Sequence, residues 1–332
     1  MKIAITGGAG FIGSHLTKAY LDAGHDVFVI DNLLHNAHHT VDERARFYHV
    51  DIRDNKVATI LQRERPDVVS HHAAQYNDES AGGRALADAD VHVHGLLNVL
   101  DSCANASVQK FIFASGSYSL YGQVNPALLP LHEDTPLCPL SAHDVSKVAG
   151  EWYVRYHTRY YGLQHIILRY ADVYGNVGDD RSRHSFNYFT TMLLQQQRPV
   201  IRGSGNDKRD HIFVEDVIQA NLLALRHGEN CTLHISSSQG YTLNQLYYMT
   251  AAIMDSQIKP LYIAGSGPDI PAITLDNSQA SLILGWCPQF TLHEGIRHAM
   301  PRLKEHRDQA VAHKEKCSPQ ARLSYTARLI HA

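Results

Sequence analysis

The chain has 332 residues, of which 44% are hydrophobic and 19% charged, with a formal net charge of −3. That is enough apolar material for a large core in one α/β domain or two lobes, and it excludes intrinsic disorder. No basic block stands out before the last thirty residues and no apolar run reaches 18 residues, so neither nucleic acid nor a membrane is expected as a partner.

Met1-Lys2-Ile3-Ala4-Ile5-Thr6 opens on a strand pattern and lacks the charged region of a signal peptide, which predicts a cytoplasmic protein. A helix-period segment from Phe11 to Ala23 follows, then strands at Val27-Phe28-Val29-Ile30, Val68-Val69 and Phe111-Ile112-Phe113-Ala114. This alternation predicts an α/β fold, a doubly wound parallel sheet of Rossmann type, which binds ligands beyond the C-terminal ends of its strands. The next helix is expected from about Ser141 to Tyr161, with Ser141 as N-cap, Asp144 completing a capping-box pattern and Gly162 near its end. Leu163–Tyr170 reads as the following strand. Beyond about residue 175 the alternation loosens around Gly203-Ser204-Gly205-Asn206-Asp207 and Gly265-Ser266-Gly267-Pro268. The expected division is a dinucleotide-binding domain over 1–174, a smaller C-terminal α/β substrate lobe over 175–305, interleaved with the first, and a tail over 306–332. Cys103, Cys138, Cys231, Cys287 and Cys317 show no metal-ligand spacing and are read as reduced thiols. The 23 histidines are dispersed, and their tightest group, His35, His38 and His39, is read as solvated; no metal is predicted.

Gly7, Gly10 and Gly13 lie between the first strand and the first helix, in Gly7-Gly8-Ala9-Gly10-Phe11-Ile12-Gly13. Glycines there let a pyrophosphate approach the backbone at a helix N-terminus, although such a turn also serves tight strand–helix packing. Asp31 closes the second strand, where its carboxylate can accept hydrogen bonds from an adenosine ribose. It would repel a 2′-phosphate and no arginine follows it, so NAD is favoured over NADP. Asp51-Ile52 either flanks the adenine or simply opens a turn.

Together, Thr6-Gly7-Gly8-Ala9-Gly10-Phe11-Ile12-Gly13, Asp31-Asn32-Leu33, Asp51-Ile52-Arg53-Asp54, His71-His72-Ala73-Ala74-Gln75, Arg169-Tyr170-Ala171-Asp172-Val173-Tyr174-Gly175, Arg209-Asp210-His211-Ile212-Phe213-Val214 and Leu284-Gly285-Trp286 run in an order that resembles the extended short-chain dehydrogenase/reductase family, in its UDP-glucose 4-epimerase branch. The resemblance covers about residues 1–300. It implies that NAD is held by Gly7, Gly10, Phe11, Ile12, Gly13, Asp31, Asn32, Asp51, Ile52 and Tyr170, with Ala73, Ala74, Gln75 and Ser115 on the nicotinamide side. It also implies a Tyr-x-x-x-Lys pair on the helix that starts near residue 141, whose lysine binds the ribose, and a hydroxyl partner ahead of it.

Here the lysine is Lys147 and the position four before it is His143 instead of tyrosine. The i, i+4 spacing keeps both on one helix face, and a neutral imidazole can serve as general base. A nearby ammonium weakens that base, and the shorter ring reaches less far. A helix-face histidine that only meets water is the plain alternative. Counting back from Tyr121-Gly122 selects Ser117 as the hydroxyl partner, whereas counting forward from Phe113 selects Gly116 beside Ser115. No carboxylate occurs between Phe113 and Gly122, which argues against the dehydratases and decarboxylases of this superfamily.

On the substrate side, Asp172 replaces the family's usual asparagine and Ser266 stands where an arginine precedes Pro268-Asp269. Arg209 remains to clamp a diphosphate, unless it only pairs with Asp207 or Asp210. The expected activity is NAD-dependent 4-epimerisation of a sugar or nucleotide sugar by transient hydride transfer. The alternatives are net oxidoreduction or elimination with His143 as acid/base, and a non-catalytic NAD sensor. Relatives pair through the helix that carries Trp152, Tyr156 and Tyr160, which implies a homodimer, though a buried core face would explain the same stripe.

Overall fold

The computed structural model describes residues 1–34, 41–75, 85–116, 118–175, 185–264 and 272–301. Seven strands build its main sheet: β1 (Lys2–Thr6), β2 (Asp26–Asp31), β3 (Arg46–His49), β4 (Val68–His71), β5 (Lys110–Ser115), β6 (Gln164–Tyr170) and, after three strands that lie outside it, β10 (Cys231–Ile235). Their spatial order is β10-β6-β5-β4-β1-β2-β3, and every pairing in it is parallel. Parallel strands are buried on both faces, and β4 and β5 are buried along their whole length. Alternate residues then feed two cores. Ile3, Ile5, Val27 and Val29 face one core, while Ala4, Phe28 and Ile30 face the other.

Against the first face lies α1 (Phe11–Asp22). The second is covered by α2 (Lys56–Glu64) and by a long helix made of α3 (Ala85–Ala89), a π-helical turn at Asp90–His94 and α4 (Gly95–Asn105). Next comes α5 (Ala142–Tyr161), which packs on the second face through Val154. Ser141 caps it as predicted, its hydroxyl accepting from the Asp144 backbone N–H at 3.1 Å, and Gly162 ends it in the left-handed conformation. Asp144 does not reach back to the Ser141 backbone; its carboxylate instead accepts from the hydroxyls of Ser141 and Ser119.

Beyond β6 come β7 (Asp172–Tyr174), α6 (Ser185–Leu194), β8 (Val200–Arg202), β9 (Lys208–Phe213) and α7 (Val214–Ala224). After β10 follow β11 (Gly240–Thr242), α8 (Leu243–Ile253), β12 (Leu261–Ile263) and α9 (Ser278–Leu284). These strands form two small sheets, β11-β9-β7 and β12-β8. The first core continues into them through Val173, Ile201 and Ile212, and into α6 and α8 through Phe186, Phe189, Leu246 and Tyr247. The predicted tail, 306–332, lies outside the described residues, as do His35, His38 and His39. Among the described residues no helix is long and apolar enough to cross a membrane.

One ion pair fastens α5 to the sheet. Glu151 is fully buried and receives Nε and Nη2 of Arg169, from β6, at 2.8 and 2.7 Å. Arg169 also donates to the Tyr121 hydroxyl and the Glu133 carbonyl, and the Ser115 hydroxyl donates to Glu151 at 2.6 Å. Burial alone would raise the Glu151 carboxyl; the guanidinium and the hydroxyl bring it below its ordinary value. Removing one partner of such a pair strands the other, whereas replacing both by apolar groups does not. Arg169→Met should therefore destabilise the protein by about 3–5 kcal/mol in urea unfolding, and the double variant Glu151→Met/Arg169→Met should recover much of that loss.

Candidate active site

The site lies where strand order reverses, between β1 and β4, since β1 leads outward to β2 and β3 while β4 leads to β5 and β6. Two glycines make that junction possible. Gly7 has φ +72°, and a Cβ on it would fall 2.5 Å from the Ala73 backbone nitrogen; a Cβ on Gly13 would overlap the Gly7 carbonyl. The first turn thus presses backbone to backbone against the end of β4, and Gly10 leads into α1 with no side-chain cap. Phe11 and Ile12 form the helix's first turn and pack against the first core.

Asp31 pins this turn, accepting from the Ala9 N–H at 3.0 Å and from the Leu33 N–H at 2.8 Å. Beside it the Asn32 amide donates to Asp51 at 2.8 Å, and Arg53 grips Asp51 through Nε and Nη2, holding its carboxyl well below the usual range. Ile52 is buried, and its carbonyl accepts from Asn98 at 2.7 Å. A glycine cradle that a Cβ would fill, closed by a strand-end carboxylate, fits an NAD pyrophosphate and ribose.

At the end of β4, the Thr6 hydroxyl meets His71 Nδ1 at 2.8 Å, and the His71 ring stacks on Phe111 and Phe113. His72 stacks in parallel on Tyr170, with ring centroids 6.3 Å apart, and burial followed by Lys147 pushes it down to about 3. Tyr170 exchanges hydrogen bonds with Asn221. Past Ala73 and Ala74, the Gln75 N–H donates to His92 Nε2 at 3.0 Å. Ser115 closes β5 with its hydroxyl turned to Glu151.

On α5, Lys147 is buried and donates from Nζ to the Ala114 carbonyl at 2.9 Å, with the Phe113 ring beneath it. Burial lowers its ammonium to about 8, against the pull of Asp88 and Glu151. One turn earlier, His143 leaves 23% of its side chain exposed, and burial, then Lys147 and His92, push the imidazole down to about 3. Two residues that the sequence reading passed over complete this corner. Asp88 approaches His143 Nδ1 at 3.5 Å and His92 Nδ1 at 3.2 Å, and the two rings meet edge to face at 4.6 Å. Burial would raise the Asp88 carboxyl, but hydrogen bonds from His92 and Ser146 bring it down to about 2. The signal for them was the Asp88-x-x-x-His92 spacing, which sets both on one helix face.

Elsewhere, Asp172 on β7 faces His211 on β9 at 3.3 Å, where the two are register partners. Arg209 is half-buried on β9 opposite Tyr241, and Asp210 is turned to Ser237 and Leu275. Ser117, Asp269 and Ser266 lie outside the described residues.

Residues 3–235 match the NAD dependent epimerase/dehydratase family. The chain belongs to this family. It is similar to a putative UDP-glucose 4-epimerase of Methanocaldococcus jannaschii, 33% identical over 303 residues that span 91% of this chain and 98% of that one. Among solved structures it is similar to the UDP-glucose 4-epimerase of Thermotoga maritima with UDP-glucose, at a TM-score of 0.88 and 33% identity, covering 92% of this chain and 99% of that one. The UDP-glucose 4-epimerase of Thermus thermophilus in complex with NAD gives a TM-score of 0.84 at 29% identity, with coverage of 92% and 99%. The protein is thus an NAD-dependent enzyme of the epimerase/dehydratase family. His143, one helical turn before Lys147 on α5, stands where the resemblance implies tyrosine.

The cradle generates a direct test. Gly13→Ala should abolish NAD binding, because backbone rather than a flexible side chain blocks the added methyl. Asp31→Ala should weaken NAD by about tenfold, the loss of one charge-assisted hydrogen bond, and narrow its preference over NADP. Titration calorimetry with both cofactors reads both changes.

Proposed function

We propose that this enzyme is a nucleotide-sugar 4-epimerase in which His143 takes the acid/base place of the family's tyrosine. The observation that carries this reading is the pairing of half-buried His143 with buried Lys147 on one face of α5, beside the ends of β4 and β5 and next to the glycine cradle. In this reading Gly7, Gly10, Phe11, Ile12 and Gly13 receive the pyrophosphate; Asp31, Asn32, Asp51 and Ile52 the adenosine; Ala73, Ala74, Gln75, Ser115 and Tyr170 the nicotinamide side. When bound, NAD would supply a reversible hydride acceptor for the sugar's carbinol carbon.

His143 removes the hydroxyl proton as the carbon is oxidised and gives it back to the ketone oxygen as the carbon is reduced. Its depressed proton affinity favours giving the proton back, so the imidazole ends each turnover neutral. Lys147 holds the ribose, and its charge keeps the imidazolium short-lived. Ser117 donates a hydrogen bond to the sugar oxygen. Residues 1–174 provide the cofactor side. Residues 175–305, apart from β10 in the main sheet, provide the sugar side, with Arg209 clamping the diphosphate and Asp172 and Asp269 reading the sugar.

We further propose a homodimer formed through α5. Support comes from the outward face of that helix, where Trp152, Tyr156 and Tyr160 are 65%, 45% and 64% exposed instead of filling a core. Such a contiguous aromatic face suits an interface. A cytoplasmic location is in keeping with the free thiols of Cys103, Cys138, Cys231 and Cys287.

Incubation of the NAD-loaded protein with UDP-, GDP- and dTDP-sugars, read by mass and NMR, should yield a 4-epimer of unchanged mass and no accumulating NADH. On that substrate His143→Ala should lower kcat by about 10²- to 10⁴-fold with NAD binding nearly intact, and Lys147→Ala should lower both. Because the imidazole is neutral far below its ordinary value, kcat should show no acid limb near pH 6.5. His143→Tyr should recover activity only in part, since Asp172 and Ser266 also depart from the family pattern. Full activity in His143→Ala would remove this assignment. In sedimentation, the wild type should run as a dimer and Tyr156→Glu as a monomer; a wild-type monomer at high concentration would end the dimer proposal.

A further inference from the structure

Asp88 on α3, His92 in the π-helical turn and His143 on α5 converge at one corner of the site. Their nitrogen and oxygen atoms lie within 4.8 Å of one another, a donor set of the kind that can hold a divalent cation. The proton arrangement argues against that use. The Gln75 N–H points at His92 Nε2, so the neutral ring carries its proton on Nδ1, and Nδ1 faces the Asp88 carbonyl at 3.1 Å and the Asp88 carboxylate at 3.2 Å. A metal ion on Nδ1 would force the proton onto Nε2, directly against the Gln75 N–H. His92 is better explained as a brace, which ties Asp88 to the end of the β4 segment.

What the brace holds in place is a carboxylate aimed at His143. We propose that Asp88 is a positioning residue for His143: its Oδ2 accepts from Nδ1–H, fixing the tautomer that leaves the Nε2 lone pair to take the sugar hydroxyl proton, and it stabilises the imidazolium while that proton is held. This deepens the role of His143 proposed above and rests on it. The separation of 3.5 Å is longer than a formed hydrogen bond. Acid/base contacts of this kind tighten when substrate closes the site.

Electrostatics explains why the imidazole needs such a partner. Burial, Lys147 on its own helix and His92 across from it all disfavour a charged His143; Asp88 is the group that favours it. With hydrogen bonds from His92 and Ser146, Asp88 stays ionised and can fill this role through neutral pH. Each proton transfer balances. The sugar O–H bond breaks, an N–H bond forms at Nε2, and the positive charge appears beside the Asp88 carboxylate; the return step reverses this. The π-helical turn that starts after Ala89 widens the helix at this point, and such turns recur at functional sites.

The test is Asp88→Asn, which keeps the shape and removes the charge. In NAD-loaded protein with ¹⁵N-labelled histidine, the wild-type His143 should show one tautomer, protonated at Nδ1, and Asp88→Asn should show a mixture or the opposite one. On the epimerised sugar the variant should lose about 10²-fold or more in kcat at nearly unchanged KM and NAD affinity. In a His143→Tyr background the same substitution should cost far less in kcat, because a phenol has no tautomer to fix and only the weaker effect of Asp88 on Lys147 is lost. If His143→Ala is inactive while Asp88→Asn keeps the wild-type tautomer and kcat, the role of Asp88 is overturned and that of His143 stands. If His143→Ala keeps full activity, the reading of His143 itself fails. An equal fold-loss of kcat on Asp88→Asn in the wild-type and His143→Tyr backgrounds would show that Asp88 does not act through the imidazole and would also overturn the proposal.

Discussion

Three side chains four residues apart on α5, His143, Lys147 and Glu151, are turned inward, and the rest of the site depends on finding them partners. An imidazole, an ammonium and a carboxylate along one inward helix face cannot be left alone at low dielectric. Glu151 takes Arg169 from β6 and the hydroxyl of Ser115. Lys147 takes the Ala114 carbonyl at the end of β5. His143 faces Asp88 across the interface with α3. Each pairing fixes a different element relative to α5, so the polar row that carries the chemistry also sets the register of the helix against the sheet.

The same row graduates the charge from structural to chemical. At the Glu151 end the ion pair is bidentate and enclosed. At Lys147 burial brings the ammonium to about 8, close enough to neutrality that its environment matters for every group around it. His71, His72 and His143 all carry part of that influence and are held neutral. A base in such surroundings gives up its proton readily, as a reaction that runs in both directions over one carbon requires. The opposing carboxylate of Asp88 keeps the cationic state within reach.

Much of the fold was legible because local and long-range signals agreed. The Gly7-Gly8-Ala9-Gly10 turn, the strand that ends at Asp31, and α5 with Ser141 before it and Gly162 after it are each written in a short stretch of sequence. The Ser141–Asp144 pairing was legible only in part, because a carboxylate that Ser119 also claims does not cap the backbone. Beyond local reach the signal faded. That β10 joins β6 is a pairing between distant segments with no pattern of its own. The aromatic row Trp152, Tyr156 and Tyr160 and the polar row of His143, Lys147 and Glu151 share the same four-residue spacing, so periodicity alone could not tell which faced inward; hydropathy would have chosen the aromatic one. Asp88 and His92 sit on one face of their own helix, but their meeting with His143, more than fifty residues on, depends on how that helix packs against α5.

Epimerisation in this site requires that a nucleotide sugar be oxidised and reduced at the same carbon. Its most direct measurement is proton NMR of the epimerisation carried out in D₂O. The product should keep its hydrogen at the inverted carbon, with no deuterium there, since the hydride leaves and returns without meeting solvent. Deuterium at the inverted carbon, or conversion that continues in protein stripped of NAD, would contradict it.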